Sequence, residues 1–337
     1  MPFLSEPFLS VLKHLRTAFV AAALAWSGHA AALERLTVQT AFYPQGPQAY
    51  LFLAKHKGWF EAAGLDVELL DGRGSNFSMQ VVSSGHADVG EGQLAPIVPA
   101  RDKGAKVKAI AEWYKKDGPA IIVPVDSGMT KPADLKGKKV VIIASGPWPP
   151  LLNSFFAQFD MKPSDMQLMY VDSTALFTTY AIKQADAMLT VDLAYTEANP
   201  LRASNLISSL DFGVKLPGNG LYATEETIAK RGDALKRFIE VCARAMAYIY
   251  DGHEEEGARA IRAQRPNTKL SAEHILEQIK FFQSLRFAPS GEGKPVGWQS
   301  PQDWQERMAY VKAAGIVKTD HAGTDFFTNA FTEGLPR

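Results

Sequence analysis

The segment Leu51-Phe52-Leu53-Ala54-Lys55-His56-Lys57-Gly58-Trp59-Phe60-Glu61-Ala62-Ala63-Gly64-Leu65-Asp66-Val67-Glu68 changes character halfway along. Its first half continues a helix that starts near Pro47, carries Ala49, Leu51, Phe52 and Leu53, and ends at Gly58, a favourable residue just past a helix terminus. Its second half, Leu65 to Leu69, alternates apolar and polar residues as a strand with one wet face does. Helix then strand, within so few residues, is the signature of an α/β chain.

The same alternation extends outward. Leu36–Thr40 reads as a strand and Tyr43-Pro44-Gln45-Gly46 as the turn into the helix. Past Asp71-Gly72-Arg73-Gly74-Ser75 comes a helix with Phe77, Val81 and Val82, then a strand opening at Ala87-Asp88-Val89-Gly90. A second cycle follows: strand Lys139–Ile143, loop Ser145–Pro150, helix Leu151–Phe159, strand Gln167–Val171, helix Thr174–Lys183 and strand Ala185–Leu189. Ser84-Gly85-His86-Ala87-Asp88-Val89 and Ile182-Lys183-Gln184-Ala185-Asp186-Ala187 each set Ala-Asp between a helix and a strand, which points to two similar lobes. From about Glu225 the pattern is helical: Asp233–Tyr250, Glu254–Gln264, Ser271–Leu285 and Pro301–Ala314, the last entered by an N-cap serine and a proline at N1. These helices are expected to pack on the first lobe. Ala288–Gln299, rich in Gly and Pro, reads as a surface loop.

The 337 residues are 46% hydrophobic and carry 36 basic and 36 acidic side chains. That supplies a large core and no phosphate-neutralising surface, so no nucleic-acid partner is expected. Lys13 and Arg16, the apolar run Thr17–Trp26 and Ser27-Gly28-His29-Ala30-Ala31-Ala32 have the order of a secretory signal, with cleavage after Ala32 or Ala30. The apolar run is too short to span a bilayer. The single cysteine, Cys242, lies in a helical apolar pattern and reads as a buried thiol. No cysteine follows the leader to take a lipid, so a soluble periplasmic monomer is expected.

The opening segment, together with Gly74-Ser75, Gly85–Gly90, Lys131-Pro132-Ala133-Asp134-Leu135-Lys136-Gly137-Lys138-Lys139 and Tyr222-Ala223-Thr224-Glu225-Glu226-Thr227, resembles the NMT1/THI5-like periplasmic substrate-binding proteins. That family includes sulfonate, taurine, nitrate and thiamine-pyrimidine binders. The likeness covers roughly residues 35–265. It implies a two-lobed periplasmic-binding-protein fold of type II with a ligand cleft between the lobes. The first lobe would be residues 33–123 with 218–337, and the second 124–217. It also implies an inner-membrane ABC permease as partner and a small polar organic molecule as ligand, with no cofactor.

Ligands of open α/β sheets lie beyond the carboxyl ends of strands. That rule selects Tyr43, Gln45 and Gln48 in the first loop, then Arg73, Gly74, Ser75 and Asn76. Glu91 and Gln93 follow, then Ser145 and Trp148, and last Asp192, Tyr195 and Glu197. Ser75 as an N-cap would turn a positive helix end toward a negative ligand group. Arg73 would pair with a carboxylate or sulfonate, and Tyr43 and Trp148 would form an aromatic wall. Glu91 and Glu197 would accept ligand N–H groups, and Asp192 is the candidate cap of the helical turn that follows it. The first loop departs from the Trp-x-Pro-Asn and histidine of pyrimidine binders, having Phe42-Tyr43-Pro44-Gln45 and Gln48 instead. Sulfonate, aromatic carboxylate and nitrogen heterocycle therefore stay open as ligand classes.

No catalytic residue or metal site is expected. His-Glu-x-x-His and Gly-x-Ser-x-Gly are both absent, and one cysteine cannot supply the cysteine-rich segment of the fold's pyrimidine synthases. The rivals are a fold-related enzyme acting on a pyrimidine-like metabolite and a ligand sensor without an importer.

Overall fold

A computed structural model describes residues 32–285 and 293–336. The expected signal, apart from Ala32, lies outside these residues, as does the first part of the expected loop 288–299. The strands are β1 (Glu34–Gln39), β2 (Leu65–Leu70), β3 (Val89–Gln93), β4 (Val107–Tyr114), β5 (Pro119–Pro124), β6 (Lys139–Ile143), β7 (Gln167–Val171), β8 (Ala187–Val191), β9 (Ser204–Ser208) and β10 (Asn219–Thr224). They form two five-stranded sheets, ordered β2-β1-β3-β10-β4 and β7-β6-β8-β5-β9. In each, three strands are parallel and the fourth in spatial order runs against its neighbour, β10 against β3 and β5 against β8.

The two Ala-Asp repeats do the same work in both sheets. The Asp88 amide donates to Thr37 O and its carboxylate accepts from Thr37 N at 2.8 Å. The Asp186 amide donates to Lys139 O and its carboxylate accepts from Lys139 N at 2.9 Å. Each aspartate thus holds the central strand of its βαβ unit, Asp88 within β1 and Asp186 at the start of β6. The turn before it needs a left-handed residue, Gly85 (φ 75°) in one lobe and Lys183 (φ 61°) in the other.

The chain crosses from one sheet to the other twice. The first crossing lies between Tyr114 and Pro119, because Pro119–Pro124 pairs with β8 and β9. The expected boundary after Val123 falls within β5, a strand of the second sheet. The return runs from Ser208 to Asn219 and inserts β10 between β3 and β4. A Cβ at Gly218 would lie 1.8 Å from Tyr114 O, and one at Gly220 2.0 Å from Ala111 O, so only glycine allows this close approach.

Helix Gly232–Tyr250 buries Leu235, Phe238, Ile239, Cys242, Ala245, Met246 and Ile249, a stripe at helical spacing, into the first core with Leu36, Leu51, Phe52 and Val67. Cys242 is fully buried and its thiol is pushed well above the usual range by that burial. The C-terminal helices pack on the first lobe and also reach the second. Helix Ala272–Gln283 touches helix Ala194–Leu201. Helix Pro301–Ala313 contributes Trp304, Met308 and Val311 to a cluster holding Val107 of the first sheet and Ile121, Val140 and Trp148 of the second lobe.

Candidate functional site

The polar end of the first sheet meets the second lobe in a buried network. Gln45–Gln48 makes a tight turn in which the Gln45 N–H donates to Gln48 Oε1 at 3.1 Å. This aims Gln48 Nε2 at Glu91, to whose two oxygens it donates at 3.2 and 3.0 Å. Glu91 is fully buried in β3, and burial raises its pKa to about 7 against the opposing bonds from Gln48 and the Ala41 N–H. From the other lobe, Glu197 accepts the Tyr43 hydroxyl at 2.9 Å and Gln278 Nε2 at 3.3 Å. Burial lifts Glu197 to about 7 as well. Gln278 Oε1 accepts from the Gly46 N–H at 2.9 Å, closing a ring from the first loop through the C-terminal helix to the second lobe.

Two further carboxylates lie at the crossovers. Asp192, just after β8, accepts from the Gly118 N–H at 3.1 Å. Burial, then the nearby charge of Asp117, raises it to about 8. Asp117 is raised to about 7 by burial, and the amides of Gln93 and Asn219 facing it pull the other way. No lysine or arginine side chain is among the partners of Glu91, Asp117, Asp192 or Glu197 among the described residues. Among the described residues the site is rich in acceptors and lacks a cation.

Beside this network Phe42, Tyr43, Gln45, Leu176, Phe177, Val191, Leu193 and Glu197 line a narrow interlobe cavity of about 50 Å³. A second seam closes the other side, where Asn76 Nδ2 donates to Ser145 O at 3.0 Å and Gly146 O at 3.2 Å. Ser145 Oγ donates to Arg73 O at 3.4 Å, and a Cβ on Gly74 would approach Ser145 Oγ to 3.0 Å. The lobes are in contact at both edges.

Tyr43, Gln45, Gln48, Glu91 and Glu197 are thus brought into hydrogen-bonded contact, Gln93 and Asp192 lie with Asp117 at the first crossover, and Arg73, Gly74, Asn76 and Ser145 form the seam. Five expectations change. Trp148 is no cleft wall: it is 1% exposed, its Nε1–H donates to Ala120 O and Thr190 O, and it packs on Phe155 and Phe156. Ser75 is the first helical residue and Gly74 (φ 135°) the N-cap, so the serine hydroxyl caps nothing. Arg73 is exposed and its guanidinium lies over the Phe77 ring, 4.8 Å from the centroid. Tyr195 packs half-buried on the second sheet's apolar cluster. The role expected for Asp192 also shifts, since its carboxylate holds the first crossover instead of capping its own turn.

Asp117, Asn219 and Gln278 were missed. The sequence did carry a signal for two of them: Asp117-Gly118 and Gly218-Asn219-Gly220 are turn-forming groups at points where the chain changes sheets. Gln278 lies in an amphipathic helix that read as a buttress. Among the described residues no group of three or more His, Cys, Asp or Glu side chains is placed to hold a metal, and no helix is long and apolar enough to cross a membrane.

The raised carboxylates fix the sign of a pH effect. The folded chain keeps protons on Glu91, Asp117, Asp192 and Glu197 that the unfolded chain releases above a pKa of about 4. Their contribution is therefore largest at low pH, declines as pH rises toward 7 to 8, and levels off above that range. Unliganded protein is expected to melt higher at pH 5.5 than at pH 8. The Asp117→Asn/Asp192→Asn double variant should flatten that slope; an unchanged slope would show the pair does not cause it.

Comparison with known proteins agrees with this architecture. Residues 47–256 match the family model described as NMT1/THI5 like. The riboflavin-binding protein RibY of Chloroflexus aurantiacus is 22% identical over 90% of this chain and 87% of its own. The formylaminopyrimidine-binding protein of Halalkalibacterium halodurans is 20% identical over 88% of this chain and 91% of its own. Among solved structures, the alkanesulfonate-binding protein SsuA from Xanthomonas axonopodis pv. citri superposes with a TM-score of 0.67 at 16% identity, covering 87% of this chain and 98% of that one.

Proposed function

The chain belongs to the NMT1/THI5-like family, and from that premise we propose that it is the periplasmic solute-binding component of an ABC importer, capturing a small nitrogen-rich organic molecule between its lobes. The solute-binding role rests on the fold and on relatives named as binding proteins. The ligand class rests on one observation: the interlobe network offers four buried carboxylates and several amides with no cation among their partners. A sulfonate or carboxylate entering that network would be desolvated with no cation among these side chains to offset the cost. A neutral or cationic heterocycle bearing N–H donors would be received by Glu91 and Glu197, with Tyr43 and Phe177 against its face. The solute is held and released unchanged, and the monomer hands it to an inner-membrane permease.

Melting temperature with a ligand panel tests this, since a ligand that binds only the folded state raises it by mass action. Aminopyrimidines, amidines and ureides are expected to raise it, and alkanesulfonates and benzoates to leave it unchanged. Glu197→Gln should weaken the best hit by about tenfold or more, as loss of a charged hydrogen-bond acceptor does. Shifts from the sulfonates alone would overturn the ligand class, and chemical consumption of a hit would overturn the binding role.

A further inference from the structure

The acceptor network runs past the cleft cavity into the crossovers, and there it is incomplete. Asp117 sits on the first crossover, Asp192 at the end of β8, and Ser209 and Asn219 at the two ends of the second. They are 4%, 3%, 1% and 5% exposed. Asp192 meets the Gly118 N–H through Oδ2 and also the Ser208 side chain, and Asp117 faces the Gln93 and Asn219 amides. Yet Asp117 Oδ1, Asp192 Oδ1, Asn219 Oδ1 and Ser209 Oγ have no hydrogen-bond partner. Once ionised, the Asp117 and Asp192 Oδ1 atoms can only accept, as the Asn219 Oδ1 does. A buried polar atom without a partner costs about 1–3 kcal/mol, more if charged, so three orphan acceptors from three segments mark a place built to receive donors. Val191 and Leu193, the chain neighbours of Asp192, line the cleft cavity.

We propose that Asp117, Asp192 and Asn219 form a seat for a planar, N–H-rich cationic group of the solute, of the amidinium, guanidinium or protonated aminopyrimidine class. The inference rests on reading the cleft as a solute site and adds which part of the solute reaches the hinge. Such a group presents several donors in one plane, matching oxygens that come from different segments. A metal ion fits less well, because only two carboxylates converge and no metal-competent group is present among the described residues. The seat couples binding to closure. Asp117 and Asn219 belong to the two crossovers and Asp192 to the second sheet, so a cation among them draws both crossovers and a lobe together.

The probes are acetamidinium chloride and 2,4-diaminopyrimidine, with tetramethylammonium chloride at equal ionic strength as the bulky control. The readout is melting temperature at pH 7. Wild type is expected to show a saturable rise with at least one probe and none beyond ionic strength with the control. Asp117→Asn and Asp192→Asn keep the side-chain shape and relieve like-charge repulsion, so each should fold, as circular dichroism checks. Each should weaken the responding probe at least tenfold. A response to acetamidinium itself identifies a seat for a free small cation; a response to the pyrimidine alone identifies one that works only as part of a cleft ligand, and both support the proposal. Absence of a probe-specific rise, or equal affinity in both Asn variants, overturns it. A panel hit weakened by Glu197→Gln but bound unchanged by both Asn variants removes the hinge seat and leaves the solute-binding reading standing.

Discussion

Replacing Arg307 with methionine is expected to lower unfolding free energy by about 3–5 kcal/mol, the usual penalty for stranding one half of a buried ion pair. Arg307 grips Glu112 with both guanidinium nitrogens, Nη2 to Oε1 at 2.9 Å and Nη1 to Oε2 at 3.2 Å. Glu112 is fully buried. Burial pushes its carboxyl up, but Arg307, Lys115 and the Gly218 N–H together outweigh that and hold it below the usual range. With methionine in place, Glu112 keeps only Lys115 at 3.6 Å and the Gly218 N–H at 2.9 Å among these partners. The Glu112→Gln/Arg307→Met double variant should recover most of the loss. Urea unfolding at pH 7 measures both, and a single-variant loss under about 1 kcal/mol would show that the pair is effectively solvated. Because Glu112 Oε1 also accepts from the Gly218 N–H at 2.9 Å, the single variant should loosen the return crossover too.

Trp148→Ala is expected to cost a similar amount, about 3–5 kcal/mol, as removal of a large buried aromatic does. Its indole fills the second lobe's core against Phe155 and Phe156 and satisfies two strand carbonyls, Ala120 O at 3.1 Å and Thr190 O at 2.7 Å. Tyr43→Ala, by contrast, should leave the fold within about 1–2 kcal/mol of wild type, since the side chain is only half-buried at the cleft. It should instead weaken ligand binding. Denaturation curves and ligand titrations on both variants separate a core aromatic from a site aromatic. A Trp148→Ala protein that is as stable as wild type but fails to bind would restore the tryptophan to the cleft.

These two side chains illustrate what was readable from residues alone. The βα alternation, the Ala-Asp repeat and the helical C-terminal third were legible, because local periodicity and turn chemistry encode them. Tyr43, Gln45, Gln48, Glu91 and Glu197 stand where strands end in the sequence order, and hydrogen bonds join Tyr43 to Glu197, Gln45 to Gln48 and Gln48 to Glu91. Trp148 misled because a proline-flanked loop tryptophan has the same local pattern whether its ring turns out to the cleft or in to the core. Asp117 and Asn219 went unread because β4, β5 and β10 were not recognised. Val107–Tyr114 and Pro119–Pro124 are buried along nearly their whole length and show no alternation. The acceptor role of Gln278 depends on a contact with Gly46, 232 residues away in sequence.

The placement of β10 sets an order of assembly during synthesis. All strands of the second sheet lie between Pro119 and Ser208, so that sheet can close as soon as this stretch is free to fold. The first sheet cannot: β3 and β4 are not neighbours, and the strand joining them begins only at Asn219. Until then β4 has no partner strand, and its apolar run is exposed to aggregation or to a holding chaperone. The earlier-made half of the molecule is therefore the later to finish.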